Sequence, residues 1–417
     1  MLSKSRTATL GVKRAPFYGA WLLKRLPITA VDCGSLIINI GDHQHKYSGK
    51  QAGINAKLTL NQPIKFLWLI YSQGVLGIAK AYADKVIDTP NLYNLLLWGA
   101  NNEAAINKTR QGYRWFYQRF LKRHRNNHNS IENSRENISA HYDLGNDFYQ
   151  LWLDETMSYS SALYSSPQQT LAEAQTAKYQ RILDEINPKQ GDSILEIGCG
   201  WGGFAELAAQ QGAQVFGITL SNEQLAFAKA RLKNQGLDNL AKLSLTDYRH
   251  QEGQFDHLVS IEMFEAVGKE YWDDYFTQLK RLLKTDGKAV LQIITIDDER
   301  AQSYQDGVDF IQAFIFPGGL LPSRRQLHEL AASHGFKVSN ELSFGQDYAT
   351  TLKLWLESFN QHSQALEEQG YDLRFQRIWQ YYLDYCRVGF DAKRTDVLQL
   401  TLEHQTLAHK TLEEHNA

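Results

Sequence analysis

Ile194-Leu195-Glu196-Ile197-Gly198-Cys199-Gly200-Trp201-Gly202-Gly203-Phe204 is a short apolar run that breaks into glycines and then resumes as a helix-forming segment. Such a stretch reads as a strand, a tight turn and the start of a helix. Glycines permit the turn and let a ligand approach the main chain, while the first helical N–H groups face any negative group bound there. Gly198, Gly200 and Gly203 satisfy the dinucleotide pattern G-x-G-x-x-G. A dinucleotide site also needs an acid near the end of the second strand to hold the ribose, and Gly217-Ile218-Thr219-Leu220-Ser221 offers none. The acid instead precedes the first glycine, as Glu196. Cys199 within the loop reads as a packing position rather than a nucleophile.

Outward from this loop, helical segments alternate with short apolar strands at Ser193–Ile197, Val215–Thr219, Lys242–Leu245, His257–Ile261 and Ala289–Ile296. That alternation demands crossover connections and a parallel sheet covered on both faces. Lys337–Phe344 and Val397–Leu402 are later strand candidates. Residues 1–125 read as a separate, smaller mixed α/β unit. It has strands at Ser35–Ile40 and Ala56–Leu60, a turn at Gly41-Asp42, and short helices over Ile64–Ile70, from Tyr82 onward and over Leu92–Leu97. Asn126-Asn127-His128-Asn129-Ser130 reads as a linker into a second domain, 126–417. A hydrophobic content of 43% and a charged content of 22% over 417 residues suit a folded chain and exclude a disordered one. Three scattered cysteines are too few for a disulfide framework or a structural zinc site, so no metal is expected and a reducing, cytoplasmic address is. The apolar run Ala20–Leu23 is too short for a signal peptide, and no stretch is long enough to span a bilayer.

The E-x-G-x-G-x-G form around Glu196 resembles motif I of class I S-adenosylmethionine-dependent methyltransferases. Further segments narrow the resemblance. Ile138-Ser139-Ala140-His141-Tyr142-Asp143-Leu144-Gly145-Asn146-Asp147-Phe148-Tyr149 precedes Met157-Ser158-Tyr159-Ser160-Ser161-Ala162. Ser260-Ile261-Glu262-Met263-Phe264-Glu265-Ala266-Val267-Gly268, Phe316-Pro317-Gly318-Gly319, Tyr348-Ala349-Thr350-Thr351 and Tyr381-Tyr382-Leu383 with Cys386 follow in order. Together they resemble the cyclopropane-fatty-acyl-phospholipid synthase family over about 131–417, and more loosely before that. The resemblance implies a Rossmann-like class I methyltransferase domain with a seven-stranded, mostly parallel sheet. Its implied reaction adds the methyl of S-adenosylmethionine to a cis double bond of a phospholipid acyl chain and closes a cyclopropane by losing a proton.

The resemblance also assigns roles. Tyr159 and Ser160 fall to the methionine carboxylate end of the cofactor, and Glu196, Gly198 and Gly200 to the glycine loop. Thr219, Ser221 and Gln224 fall to the ribose side, and Asp247 with Tyr248 to the adenine. The family holds a bicarbonate beside the reacting carbons as proton acceptor, with Glu265 and Tyr348 matching two of its ligands. Adjacent carboxyl-type groups there imply coupled titration, and the aromatic faces of Phe264 and Tyr348 imply about 0.5–2 kcal/mol of cation–π stabilisation. Ser161 and Gln292 stand where the bacterial pattern has Cys and His. Gln292, Glu262 and Asp297-Asp298 resemble the plant-type branch. Cys386 matches a family cysteine and reads as a buried structural thiol more readily than a catalytic one.

Charge is unevenly spread. Residues 1–31 carry six basic residues and 104–130 carry seven, with no acid in either stretch, although the whole chain has a net charge of −2. Aromatic residues interleave with both. Such segments suit contact with an anionic membrane surface, and equally a solvated helix face or a linker. No nucleic-acid-binding motif accompanies them, so no nucleic acid is expected. The expected partners are an unsaturated phospholipid and the inner face of a membrane, with lipid presentation and homodimer contact both open as roles for the first unit. Three rival readings remain: acyl-chain methylation without ring closure, N-methylation of a small amine, and a lipid-binding protein without turnover.

Overall fold

The computed structural model describes residues 31–109 and 144–405. The chain divides into two units, Met1–Tyr117 and Gln118–Ala417. The linker read at 126–130, the His141-Tyr142-Asp143 part of the family motif and nearly all of both basic segments lie outside the described residues.

In the first unit, β1 (Cys33–Ile40) turns at Gly41-Asp42 into the antiparallel β2 (His43–Ser48) and lies parallel to β3 (Gln51–Leu60). A two-residue strand, β4 (Ile87–Asp88), pairs antiparallel with β3 and completes the order β2-β1-β3-β4. Leu36, Ile38 and Ile40 alternate with more exposed residues on β1 and face the unit's core. β2, His43-Gln44-His45-Lys46-Tyr47-Ser48, is a polar edge strand with no buried residue, only His45 and Tyr47 being half-buried; it is fixed by the turn rather than by burial. The expected helix from Tyr82 onward is corrected. Tyr82 sits near the end of a helix, Leu76–Ala83, and Lys85 follows in a left-handed conformation (φ 53°) that turns the chain into β4.

The second unit is built on a seven-stranded sheet: β5 (Ser193–Ile197), β6 (Gln214–Thr219), β7 (Ala241–Leu245), β8 (Phe255–Ile261), β9 (Leu283–Ile296), β10 (Phe336–Ser343) and β11 (Thr395–His404). Their order is β10-β11-β9-β8-β5-β6-β7, with β11 antiparallel to both neighbours and the pairs from β9 through to β7 parallel. Successive residues serve opposite faces. Ile194, Val259 and Val290 join a core with Ile182, Phe204 and Ala208, whereas Leu195, Leu258 and Leu291 join one with Tyr275, Leu279 and Leu398. Both faces are therefore covered, which is why the strands read as nearly continuous apolar runs. The helix Leu171–Ile186 begins in a Thr170–Glu173 capping box and ends at left-handed Asn187. The order of connection reverses beside β5, since β6 and β7 lie to one side and β8 and β9 to the other. Such a switch point opens a crevice beyond the carboxyl ends of β5 and β8, where open α/β sheets bind ligands.

Candidate active site

The glycine loop leaves β5 at this switch point. Gly198, Gly200 and Gly202 all take left-handed backbone conformations (φ 86°, 51° and 83°), and the N–H groups of Gly198 and Cys199 donate to the Ile218 carbonyl. A Cβ placed on Gly200 would meet no heavy atom within 4 Å, so the loop leaves open space there. Glu196, just before the turn, is buried, and its Oε2 has no hydrogen-bond partner. Burial pushes its carboxyl well above the ordinary range, opposed by the Lys178 ammonium. Burial and the Glu196 charge likewise keep the Cys199 thiol neutral, as a packing residue.

The ribose-side residues form one buried cluster at the tip of β6. Thr219 Oγ1 donates to Gln224 Oε1 (3.1 Å) and accepts from the Ser221 N–H (3.2 Å), while Ser221 Oγ caps the next helix by accepting from the Gln224 N–H. Ser221 thus serves the helix as well as the cleft. Asp247 takes a bidentate grip from Arg249, through Nε (2.9 Å) and Nη2 (2.6 Å); against the opposing effect of burial, this holds its carboxyl below the ordinary range. Tyr248 beside it is buried against Tyr275.

On the other flank, Ser160 Oγ accepts from Lys178 Nζ (2.6 Å), and Lys178 also donates to Gln175 Oε1. Burial lowers the Lys178 pKa to about 8 against the pull of Glu262, Asp154 and Glu196. Sequence reading passed over this lysine, although its spacing with Ala174 and Ile182 on an amphipathic helix marked a charge on the inward face. Tyr159 packs among Tyr149, Trp152 and Trp355, and its hydroxyl bonds that of Tyr382 (2.8 Å). Trp201 of the glycine loop donates to Asn146 (2.7 Å), joining the Gly145-Asn146-Asp147 motif to the cleft.

Of the residues expected around a bicarbonate, Tyr348, Ser161 and Gln292 converge on a protein carboxylate, and Glu265 does not join them. Glu262 Oε1 accepts from the Ser161 N–H (2.8 Å) and Gln292 Nε2 (2.7 Å), and its Oε2 accepts from the Tyr348 hydroxyl (2.7 Å). These donors are engaged, so the set does not fit a second anion. Ser161 contributes its main chain, its hydroxyl donating instead to the Ala162 carbonyl (2.9 Å). Glu265 lies beside Glu262. Its Oε1 accepts from the Ile294 N–H, and its buried Oε2 has no partner. Burial and the neighbouring Glu262 charge push this carboxyl up to about 8, so it is protonated at neutral pH. Burial and the same charge keep Tyr348 protonated as a donor. One expectation is corrected. Phe264 belongs to the core with Trp272 and Tyr275, where its ring cannot face a substrate cation. Cys386 is a thiol held neutral by burial and by Asp309, unsuited to act as a nucleophile.

Residues 129–400 match the family model described as mycolic acid cyclopropane synthetase. The chain is 40% identical over 274 residues to the tuberculostearic acid methyltransferase UfaA1 of Mycobacterium tuberculosis, covering 64% of each protein. It is 39% identical over 261 residues to the cyclopropane-fatty-acyl-phospholipid synthase of Escherichia coli K12, covering 62% of this chain and 65% of that one. The match therefore spans just under two thirds of these curated relatives. Among solved structures, the cyclopropane synthase MmaA2 of Mycobacterium tuberculosis superposes with a TM-score of 0.60 at 32% identity, over 64% of this chain and 97% of that one. CmaA1, a mycolic acid cyclopropane synthase solved with S-adenosylhomocysteine, does so at 0.58 and 33%, with the same coverage.

Proposed function

The chain belongs to the mycolic acid cyclopropane synthetase family, and from that premise we propose that it methylates a cis double bond in an unsaturated phospholipid acyl chain and closes a cyclopropane there. The observation that carries the proposal is the placing, at the β5/β8 switch point, of an open glycine loop after β5 and a donor-held carboxylate after β8, with the aromatic cluster around Trp355 beside it. S-adenosylmethionine fits the loop side: space at Gly200, the Thr219–Ser221–Gln224 cluster, Asp247 and the Lys178–Ser160 pair would receive it. When bound it supplies an electrophilic methyl group.

The chain's own residues then do two things. The aromatic residues Tyr149, Trp152, Tyr159 and Trp355 keep water from a developing carbocation. Glu262 sets a negative charge beside it, fixed in advance by its three donors. Each buried CH₂ of the acyl chain stabilises by about 0.8 kcal/mol, which offsets its partial withdrawal from a bilayer. Membrane contact is part of the proposal, at the inner face and through the basic segments. In the first unit, Ile64, Trp68 and Tyr71 lie exposed at helical spacing on Pro63–Gln73, as on a helix resting at a lipid surface. Among the described residues no helix is long and apolar enough to cross a membrane.

A second reading, in which the methyl is added without ring closure, is favoured by the name of UfaA1. Both readings predict S-adenosylhomocysteine release and one added carbon per lipid when the protein is incubated with a defined monounsaturated phospholipid. NMR of the product separates a ring from a branch. Absence of any lipid product would overturn both. Vesicle binding that ignores anionic lipid content and salt would remove the membrane part alone.

A further inference from the structure

We propose that Glu262 is the proton acceptor of this reaction, a built-in carboxylate that makes a bound anion unnecessary. The inference rests on the functional reading above and deepens it.

Glu262 follows β8 directly, with φ at 50°, a left-handed conformation that a residue with a Cβ adopts only at a cost of about 1 kcal/mol or more. That geometry aims its carboxylate between the tips of β8 and β9, at the Ser161 N–H, Gln292 Nε2 and the Tyr348 hydroxyl. The orientation of the Gln292 amide is dictated from further away. Arg181, which can only donate, gives Nη1–H to Gln399 Oε1 (2.6 Å), so Gln399 must present its Nε2 to Gln292 Oε1 (2.9 Å). Gln292 is left with its NH₂ toward Glu262. The relay thus demands an acceptor at that point, and an ionised carboxylate satisfies it. Gln292 cannot itself take a proton.

Two oxygens offer about four acceptor positions, and these donors use three. The fourth, on Oε2, is free for a proton. Burial raises the Glu262 carboxyl too, but its three donors and the Lys178 ammonium oppose that, so of the adjacent pair Glu262 carries the negative charge and Glu265, with no such donors, the proton. The step balances as follows. The alkene π electrons form the new bond to the methyl carbon, the methyl–sulfur bond breaks, and its electron pair returns to sulfur. A methyl C–H bond then breaks, its electrons close the ring onto the cationic carbon, and the proton moves to Glu262 Oε2. Positive charge passes from sulfonium to proton.

The test compares the intact wild-type chain with Glu262→Gly and Glu262→Gln. In buffer depleted of carbon dioxide, wild type keeps its rate within about twofold. Each variant loses about 10²- to 10⁴-fold, the range of general base catalysis, with S-adenosylhomocysteine affinity unchanged. Millimolar bicarbonate or formate restores Glu262→Gly. By NMR, ¹³C-labelled bicarbonate binds Glu262→Gly and not wild type. A wild type that requires added bicarbonate or binds it at the site, or a Glu262→Gln variant with full turnover, would overturn the assignment. Failure of the functional reading looks different: no form then releases S-adenosylhomocysteine, while bicarbonate binding still decides whether Glu262 fills the anion's place.

Discussion

Replacing Gly200 by alanine separates the cost of a strained backbone from the loss of a ligand. Gly200 has φ at 51°, where a Cβ costs about 1 kcal/mol, yet the added methyl would touch no protein atom within 4 Å. For a unit of this size about 1 kcal/mol lowers the melting temperature by roughly 2–4 °C, so the fold survives. The methyl projects instead into the space assigned to the cofactor. An affinity loss of about 100-fold, or about 2.7 kcal/mol, is expected. Gly212 provides the control. It too is left-handed (φ 88°) with nothing within 4 Å of a built Cβ, but it lies in the turn before β6 at the far end of the sheet. Calorimetric titration with S-adenosylhomocysteine, alongside thermal scans, should give similar melting losses for Gly200→Ala and Gly212→Ala and a binding loss only in the first. Equal affinities in the two variants would refute the placement of the cofactor at this loop.

Glu265→Gln tests the neutral acid. The native carboxyl titrates near 8, far above its ordinary 4.5, so the unfolded chain releases this proton first and the group's contribution to stability falls as pH rises between those values. Urea denaturation at about pH 5 and pH 8 should find the variant gaining on wild type at the higher pH; a constant difference would mean that Glu265 is ionised throughout. Lys178→Met removes the buried ammonium beside Ser160 and should weaken S-adenosylhomocysteine binding by about ten- to hundredfold, the worth of a charge-assisted bond. Gln399→Leu frees the Gln292 amide to rotate, and should lower turnover by about tenfold while cofactor affinity stays level; unchanged turnover would remove the relay from the account.

Much of the second unit was legible because its strands are buried on both faces and read as short apolar runs, and because glycine has few other reasons to recur as it does at 198, 200, 202 and 203. The polar edge strand β2 carries no such pattern. Nor was the carboxylate cluster legible. Glu262 and Glu265 are equally acidic on paper, and only the left-handed turn after β8, together with donors from residues 161, 292 and 348, makes one an ionised acceptor and the other a neutral acid. Ser161 looked like a changed functional group, yet what it gives the site is a main-chain N–H that any residue would supply. Lys178 was hidden by the usual expectation that a helical lysine faces water.

In the proposed reaction the methyl carbon of the cofactor ends in the hydrocarbon chain of a lipid. Incubating the protein with S-adenosylmethionine labelled with ¹³C at the methyl group and vesicles of a monounsaturated phospholipid tests it in one spectrum. The label should appear in a strained-ring CH₂ at the former double bond. Label in a headgroup amine, or retained entirely in the sulfonium, would contradict it.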